Sequence, residues 1–223
     1  MCGRFTLTID PAELQEAFEG YTFPEQFAPR FNIAPSQPVL AIPNDGQKRA
    51  DFFLWGLIPS WAKDPVIGNR LINARGETLA EKPSFRGSFK YKRCLIPADG
   101  FYEWKAQPGA KTKVPYFIHL ASRQPFAFAG LWDEWHAPDG SLVKSCTIIT
   151  TAPNELIAPI HNRMPVILRP DDYTQWMDTA PRTPESLLPF IKPYPAEKMT
   201  AYPVSALVNS PQNDRAECVA PVR

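Results

Sequence analysis

The second residue of the chain is a cysteine, and its position matters more than its type. Removal of Met1, which a small second residue permits, would leave Cys2 carrying an α-amine and a thiol on adjacent carbons. With reference pKa values of about 7.7–8.0 and about 8.5, a useful fraction of each group is nucleophilic near neutral pH. An amine adds to an aldehyde to give a Schiff base. A neighbouring thiol can then close on the imine carbon to form a five-membered thiazolidine, a product no lysine can make. From position alone the plainer reading, a loose terminus, is favoured; Phe5 and Leu7 argue instead for a strand that carries the terminus into the fold.

Three further groups of residues could act on a carbonyl or its proton. In Leu71-Ile72-Asn73-Ala74-Arg75-Gly76-Glu77-Thr78, alternation along an extended chain puts Asn73, Arg75 and Glu77 on one face. That face is either solvated or presents an amide and a guanidinium to a ligand. In Gly100-Phe101-Tyr102-Glu103-Trp104 a carboxylate sits among aromatics. Apolar surroundings raise a glutamate's pKa, and a value near ~6–7 suits a general acid or base; an exposed Glu on an alternating strand is the commoner arrangement. His161, in Ile160-His161-Asn162-Arg163-Met164-Pro165, titrates near neutrality and lies in a short loop. His119 and His136 lack polar neighbours and read as ordinary strand or loop residues.

A fifth feature is charge. Lys82, Arg86, Lys90, Lys92 and Arg93 occur without an acidic residue among Phe85, Phe89 and Tyr91. Basic stretches interleaved with aromatics hold single strands by stacking worth about 1–3 kcal/mol per base, although a charge run is usually a solvated face. Trp55-Gly56-Leu57-Ile58-Pro59-Ser60-Trp61 adds a stiff loop in which Trp55 reads as core and Trp61 as the freer ring.

Short strands must position these groups. β-Branched and aromatic runs bounded by Pro, Gly, Asn and Asp recur at Val39 to Ile42, Asp51 to Trp55, Cys94 to Pro97, Gly100 to Lys105, Val114 to Leu120, Pro125 to Leu131, Cys146 to Thr151 and Pro165 to Leu168. Asp10, Pro11 and Glu13 open a helix that runs to about Glu19, before Gly20. Pro170 with Asp171, and Thr183 with Pro184, open two more. Gln107 to Lys113 and Ala137 to Ser141 read as hairpin loops. Consecutive strands without alternating long helices predict an α+β fold: a mainly antiparallel, pseudo-barrel sheet with a few short peripheral helices.

Composition sets the outer bounds. The 223 residues, 44% hydrophobic and 21% charged, fit one domain spanning 1–223 and exclude disorder, collagen and coiled coil. Twenty-six prolines against 11 glycines mean many fixed bends and no long-helix bundle. Lys plus Arg number 24 and Asp plus Glu 23, so any attraction to nucleic acid must be local. The four scattered cysteines include no Cys-x-x-Cys, so free thiols are expected and structural zinc is not. No apolar run or signal peptide is evident, which predicts a soluble, intracellular monomer. Walker, dinucleotide-glycine, His-Glu-x-x-His and Gly-x-Ser-x-Gly motifs are missing.

Seven ordered blocks resemble the SOS response-associated peptidase family: Met1-Cys2-Gly3-Arg4-Phe5, Phe31-Asn32-Ile33-Ala34-Pro35, Trp55-Gly56-Leu57-Ile58-Pro59, Asn73-Ala74-Arg75-x-Glu77, Pro97-Ala98-x-Gly100-Phe101-Tyr102-Glu103-Trp104, Ala129-Gly130-Leu131-Trp132 and His161-x-Arg163-Met164-Pro165. The resemblance implies an autoprocessing, cysteine peptidase-like protein that shields abasic sites in single-stranded DNA by covalent capture. Lyase action at such sites is possible, and multiple-turnover proteolysis is not expected. It places the reactive groups on Cys2, Asn73, Glu103 and His161, with phosphate contacts by Arg4 and Arg75. Trp61, Arg86, Lys90 and Arg163 are further expected DNA contacts, and no metal or cofactor is expected. Location would be cytoplasmic, with the nucleoid in a bacterium or the nucleus in a eukaryote. Gly76, Pro153 and Asn162 depart from the residues expected there, which bears on loop shape. An N-terminal-nucleophile amidohydrolase, with Asn73 as oxyanion donor, and a non-covalent single-strand binding module are the alternatives.

Overall fold

Strand β1 (Phe5–Leu7) does carry the amino-terminal segment into a sheet, as its alternating apolar residues predict. The computed structural model describes residues 2–222. After β1 come β2 (Arg30–Ile33), β3 (Pro38–Pro43), β4 (Asp51–Trp55), β5 (Asn73–Arg75), β6 (Arg93–Ala98) and β7 (Gly100–Lys105). The chain continues through β8 (Val114–Leu120), β9 (Phe126–His136), β10 (Leu142–Thr151), β11 (Met164–Pro165), β12 (Ile167–Leu168) and β13 (Met199–Pro203). Four short helices lie between them: α1 (Pro11–Ala17), α2 (Arg86–Tyr91), α3 (Tyr173–Trp176) and α4 (Pro184–Leu187).

The strands form two sheets. One is five-stranded, in the order β13-β8-β7-β1-β2, and entirely antiparallel. In the other, pairing runs from β10 to β4, β3, β6, β9 and back to β10, which closes a small barrel. Closure removes exposed edges from these strands. Among the described residues the parallel strand joins are those of β10 to β4 and to β5, besides one isolated parallel bridge, Thr22↔Arg49. The expected α+β pseudo-barrel is thus the observed one. Its core lies where the two sheets meet: Phe5 sets its ring edge-on to Trp55 and Phe128, with centroids 5.1 and 5.7 Å away, and Phe101 meets Phe128 at 6.0 Å.

The structure departs from the sequence pattern at identifiable places. The β9–β10 hairpin is longer than predicted, reaching Leu142↔His136, because its outer rungs are held by cross-strand pairing in spite of their polar residues. Pro165 to Leu168 is two two-residue strands rather than one. β2, β13 and α2 carry weak local signals. α2 has no side-chain N-cap and contains Gly87; its helix is held by Phe85 and Phe89, four residues apart and both buried. α1 stops at Ala17, two residues early, but has the predicted capping box of Asp10 and Glu13. His119 lies in β8 and His136 ends β9.

Candidate active site

β1 and β7 pair antiparallel, Phe5 opposite Phe101 and Thr6 opposite Gly100. A further rung, from the Tyr102 N–H to the Arg4 carbonyl at 3.0 Å, carries the amino-terminal residues on beside Glu103. Cys2 is fully buried there. From the other sheet, β5 lies parallel to β10 with Asn73 opposite Ile148. The Asn73 amide Nδ2 donates to the Cys2 carbonyl at 2.8 Å. Its Oδ1 is buried and without a hydrogen-bond partner among the described residues. Such an orphaned acceptor costs about 1–3 kcal/mol; Thr147 Oγ1 and His119 Nε2 are orphaned likewise among the described residues.

β10 also holds the third wall. It pairs with β11 through Thr150↔Pro165 and Thr151↔Met164, which sets the preceding loop and His161 beside β7. His161 Nε2 is 3.9 Å from Glu103 Oε2, with the carboxylate side chain only 2% exposed. The Arg163 backbone N–H donates to His161 Nδ1 at 3.1 Å. Nδ1 also lies 3.3 Å from the Arg163 carbonyl, so the loop holds the ring on its Nδ1 side and turns Nε2 toward the carboxylate. Cys2, Asn73, Glu103 and His161 thus converge at the seam between the two sheets.

Burial sets the electrostatics. Glu103 is pushed up to about 6 by loss of water. His161 is lowered from 6.5, chiefly by burial, with the cations of Lys113 and Arg163 adding to it. The carboxyl is raised and the imidazole lowered, so the gap between a free glutamate and a free histidine is not kept here, and both groups can take part in proton transfer. Burial and the nearby Glu103 charge both raise the Cys2 thiol, which is held protonated.

The expected DNA contacts fall into two sets. Arg75 is exposed at the end of β5 and Arg86 and Lys90 are exposed on α2. Trp61 is 58% exposed, whereas Trp55 is core, as expected. A groove of about 570 Å³ is lined by Trp61, Arg86, Tyr91 and Lys92, and none of the four converging residues lines it. The other two arginines are engaged within the chain. Arg4 donates to Asn32 Oδ1 at 2.9 Å and to the Val208 and Asn209 carbonyls at 2.6 and 3.2 Å. Arg163 forms a bidentate pair with Glu77, at 2.6 and 2.9 Å, and reaches the Thr150 carbonyl at 2.7 Å.

Two parts of the charge pattern do not hold. Asn73, Arg75 and Glu77 do not share one strand face: β5 ends at Arg75 and a 3₁₀ turn, Gly76–Thr78, takes Glu77 to Arg163. A Cβ on Gly76 would lie 2.2 Å from Ile191 Cγ2, so the departure from the expected residue is a packing choice. In the basic run, Lys92 pairs with Asp133 at 2.7 Å and Arg93 is fully buried against backbone carbonyls. Sequence spacing also missed Asn32, whose buried amide donates to the Val208, Ser210 and Asn213 carbonyls and anchors the carboxy-terminal segment beside Arg4. Its place in the Phe31 to Pro35 block was the available signal.

All four cysteines are free, buried thiols. Among the described residues no three His, Cys, Asp or Glu side chains are grouped to hold a metal ion. No helix among them is long and apolar enough to cross a membrane. Met1, whose removal the sequence reading expects, lies outside the described residues.

Comparison with known proteins gives the family and the fold. The chain is 50% identical over 222 residues to the abasic site processing protein YoqW of Bacillus subtilis, covering 98% of this chain and 99% of that one. It is 33% identical to the abasic site processing protein HMCES of Xenopus tropicalis, covering all of this chain and 78% of that one. A crystal structure of a protein from Bacteroides thetaiotaomicron superimposes with a TM-score of 0.89 at 26% identity, over the whole of both chains. The profile of the SOS response associated peptidase (SRAP) family matches residues 1–211, and the chain belongs to that family.

Proposed function

We propose that this protein senses abasic sites in single-stranded DNA and shields them as a covalent thiazolidine formed by Cys2. The observation that carries the reading is the Asn73 amide fastened to the Cys2 carbonyl at 2.8 Å, beside a buried Glu103–His161 pair. The names of the relatives, abasic site processing proteins, support the substrate.

The chemistry follows from the proton affinities. Hydrolysis of the Met1–Cys2 bond, assisted by Glu103 and His161, frees the Cys2 amine. An abasic deoxyribose equilibrates with a ring-opened form bearing an aldehyde at C1′. Ring opening moves the proton of the C1′ hydroxyl to a base and gives one to the ring oxygen, a transfer suited to a buried carboxyl raised toward neutrality beside a histidine. The amine attacks C1′ and water leaves, giving the imine. Because burial keeps the thiol protonated, sulfur acts second. It adds to the imine carbon while its proton ends on nitrogen, passed through Glu103. Asn73 Oδ1, unpartnered among the described residues, accepts from the amine or from a sugar hydroxyl. A site without a base offers no sequence to read, so the exposed Arg75, Arg86, Lys90 and Trp61 hold backbone and flanking bases.

The test is incubation of the protein with abasic and intact single-stranded oligonucleotides, followed by denaturing electrophoresis. A denaturation-resistant adduct with the abasic strand alone is expected, together with no turnover of a peptide library. Equal amounts of the same stable adduct from Cys2→Ala would refute the thiazolidine.

A further inference from the structure

The face of β7 that bears Glu103 runs from core to solvent: Phe101 is buried, Glu103 nearly so, and Lys105 half-buried at the rim. Tyr116 stands opposite Glu103, and the Lys105 ammonium lies 5.8 Å from the Tyr116 ring. Beyond the last rung, Lys105↔Val114, residues 106–113 are all exposed and end on Lys113. No Asp or Glu occurs between Glu103 and Asp133, and Lys105, Lys111 and Lys113 make this hairpin locally basic. With Tyr116 opposite Glu103 and Val114 opposite Lys105, Lys113 stands one residue beyond the outermost rung, at the solvent end of the hairpin that carries Glu103; its charge acts on both Glu103 and His161, whose own shifts are set chiefly by burial. Across the seam stands the exposed Arg75, while Arg163 is already neutralised by Glu77.

We propose that Lys113 is a positioning residue that binds the DNA phosphate on one side of the abasic sugar, opposite Arg75, so that the backbone spans the mouth and the sugar enters it. This rests on the abasic-site reading, which supplies the DNA, but its test does not depend on covalent capture. An ammonium at a hairpin end is a point-charge phosphate partner, and each such contact on single-stranded DNA releases about 0.7 of a counterion.

Binding of a single-stranded oligonucleotide carrying a tetrahydrofuran abasic analogue, which has no aldehyde and cannot crosslink, is measured by fluorescence anisotropy across a salt series. Lys113→Ala is expected to weaken binding about fivefold at 0.1 M salt and to reduce the log–log salt slope by about 0.7, with Lys113→Arg restoring both. Replacing one flanking phosphate, 5′ or 3′, by uncharged methylphosphonate should cost the wild type about the same and cost Lys113→Ala nothing further. Unchanged affinity and slope in Lys113→Ala, or methylphosphonate penalties at both flanks that persist in full in that variant, would overturn the proposal. Failure of the wild type to crosslink a true abasic strand would instead count against the covalent reading alone.

Discussion

Arg93 and Glu103 begin and line consecutive strands, β6 and β7, and both are buried, at 0% and 2% exposure. Arg93 is surrounded by acceptors: its guanidinium donates to the carbonyls of Trp176, Phe89, Lys90, Asp178 and Ala180, and its own N–H to Asn44 Oδ1. Burial pulls it down to about 10, far from titrating near neutrality. Glu103 instead lies 3.9 Å from a histidine and beside the asparagine-anchored Cys2, with its own pKa pushed up to about 6 by burial. One buried charge ties α2, α3 and the loop after α3 to the barrel. The other is kept ready to change state. The two differ physically: Arg93 is saturated with hydrogen bonds, whereas Glu103 is raised toward neutrality beside His161 and close to an Asn73 acceptor that has no partner among the described residues.

The comparison can be broken from either side. Replacing Arg93 by Ala leaves a cluster of buried carbonyls without donors and should cost at least about 3 kcal/mol in chemical denaturation. Glu103→Gln should behave oppositely. Crosslinking should slow by about 100-fold or more in single-turnover assays. The folded protein should gain stability at pH 7. Its raised pKa means that the native state holds the proton more tightly than the unfolded chain does. Stability therefore falls as pH rises from about 4.5 through about 6, and Gln removes that loss, worth at most about 2 kcal/mol. A variant that loses both stability and activity would place Glu103 with Arg93 and end the distinction.

Smaller effects sharpen it. The crosslinking rate should rise with pH through about 6 as Glu103 becomes able to accept a proton, and Glu103→Gln should flatten that limb of the profile. Asn73→Ala removes the bond to the Cys2 carbonyl; a rate loss of about 10-fold, with little change in DNA affinity, is expected from a misplaced nucleophile. Trp61→Ala should lower affinity by about 1–3 kcal/mol through lost stacking while leaving the rate at saturating DNA unchanged.

Much of this site was legible because chemistry leaves residue types behind. Cys2, Glu103 among aromatics and His161 in a polar loop stand out as candidates by type and neighbours, but for Cys2 and Glu103 the plainer reading is favoured until the seven family blocks are taken together. What brings them together is not local. Asn73 meets Cys2 only because β5 joins β10 in parallel, and His161 meets Glu103 only because β11 folds back on β10. Alternation misassigned Glu77, since a buried Gly76 packed on Ile191 turns the chain out of the strand. The basic run misled for a similar reason: charge counted along the chain does not reveal that Arg93 faces inward and that Lys92 answers Asp133. β13 and α2 went unseen because partners, β8 and the buried Phe85–Phe89 pair, hold them more than their own residues do. Strands with strong patterns and the Asp10–Glu13 capping box needed no such help.

The central claim is that the Cys2 nitrogen and sulfur close together on C1′ of the abasic sugar. Intact mass spectrometry of the denatured adduct, before and after borohydride, tests it most directly. The account predicts the mass of the chain without Met1 plus the oligonucleotide less one water, mapped to Cys2 and unchanged by borohydride, because a thiazolidine has no imine to reduce. An adduct that retains Met1, or that gains two hydrogens on reduction at a lysine, would contradict it.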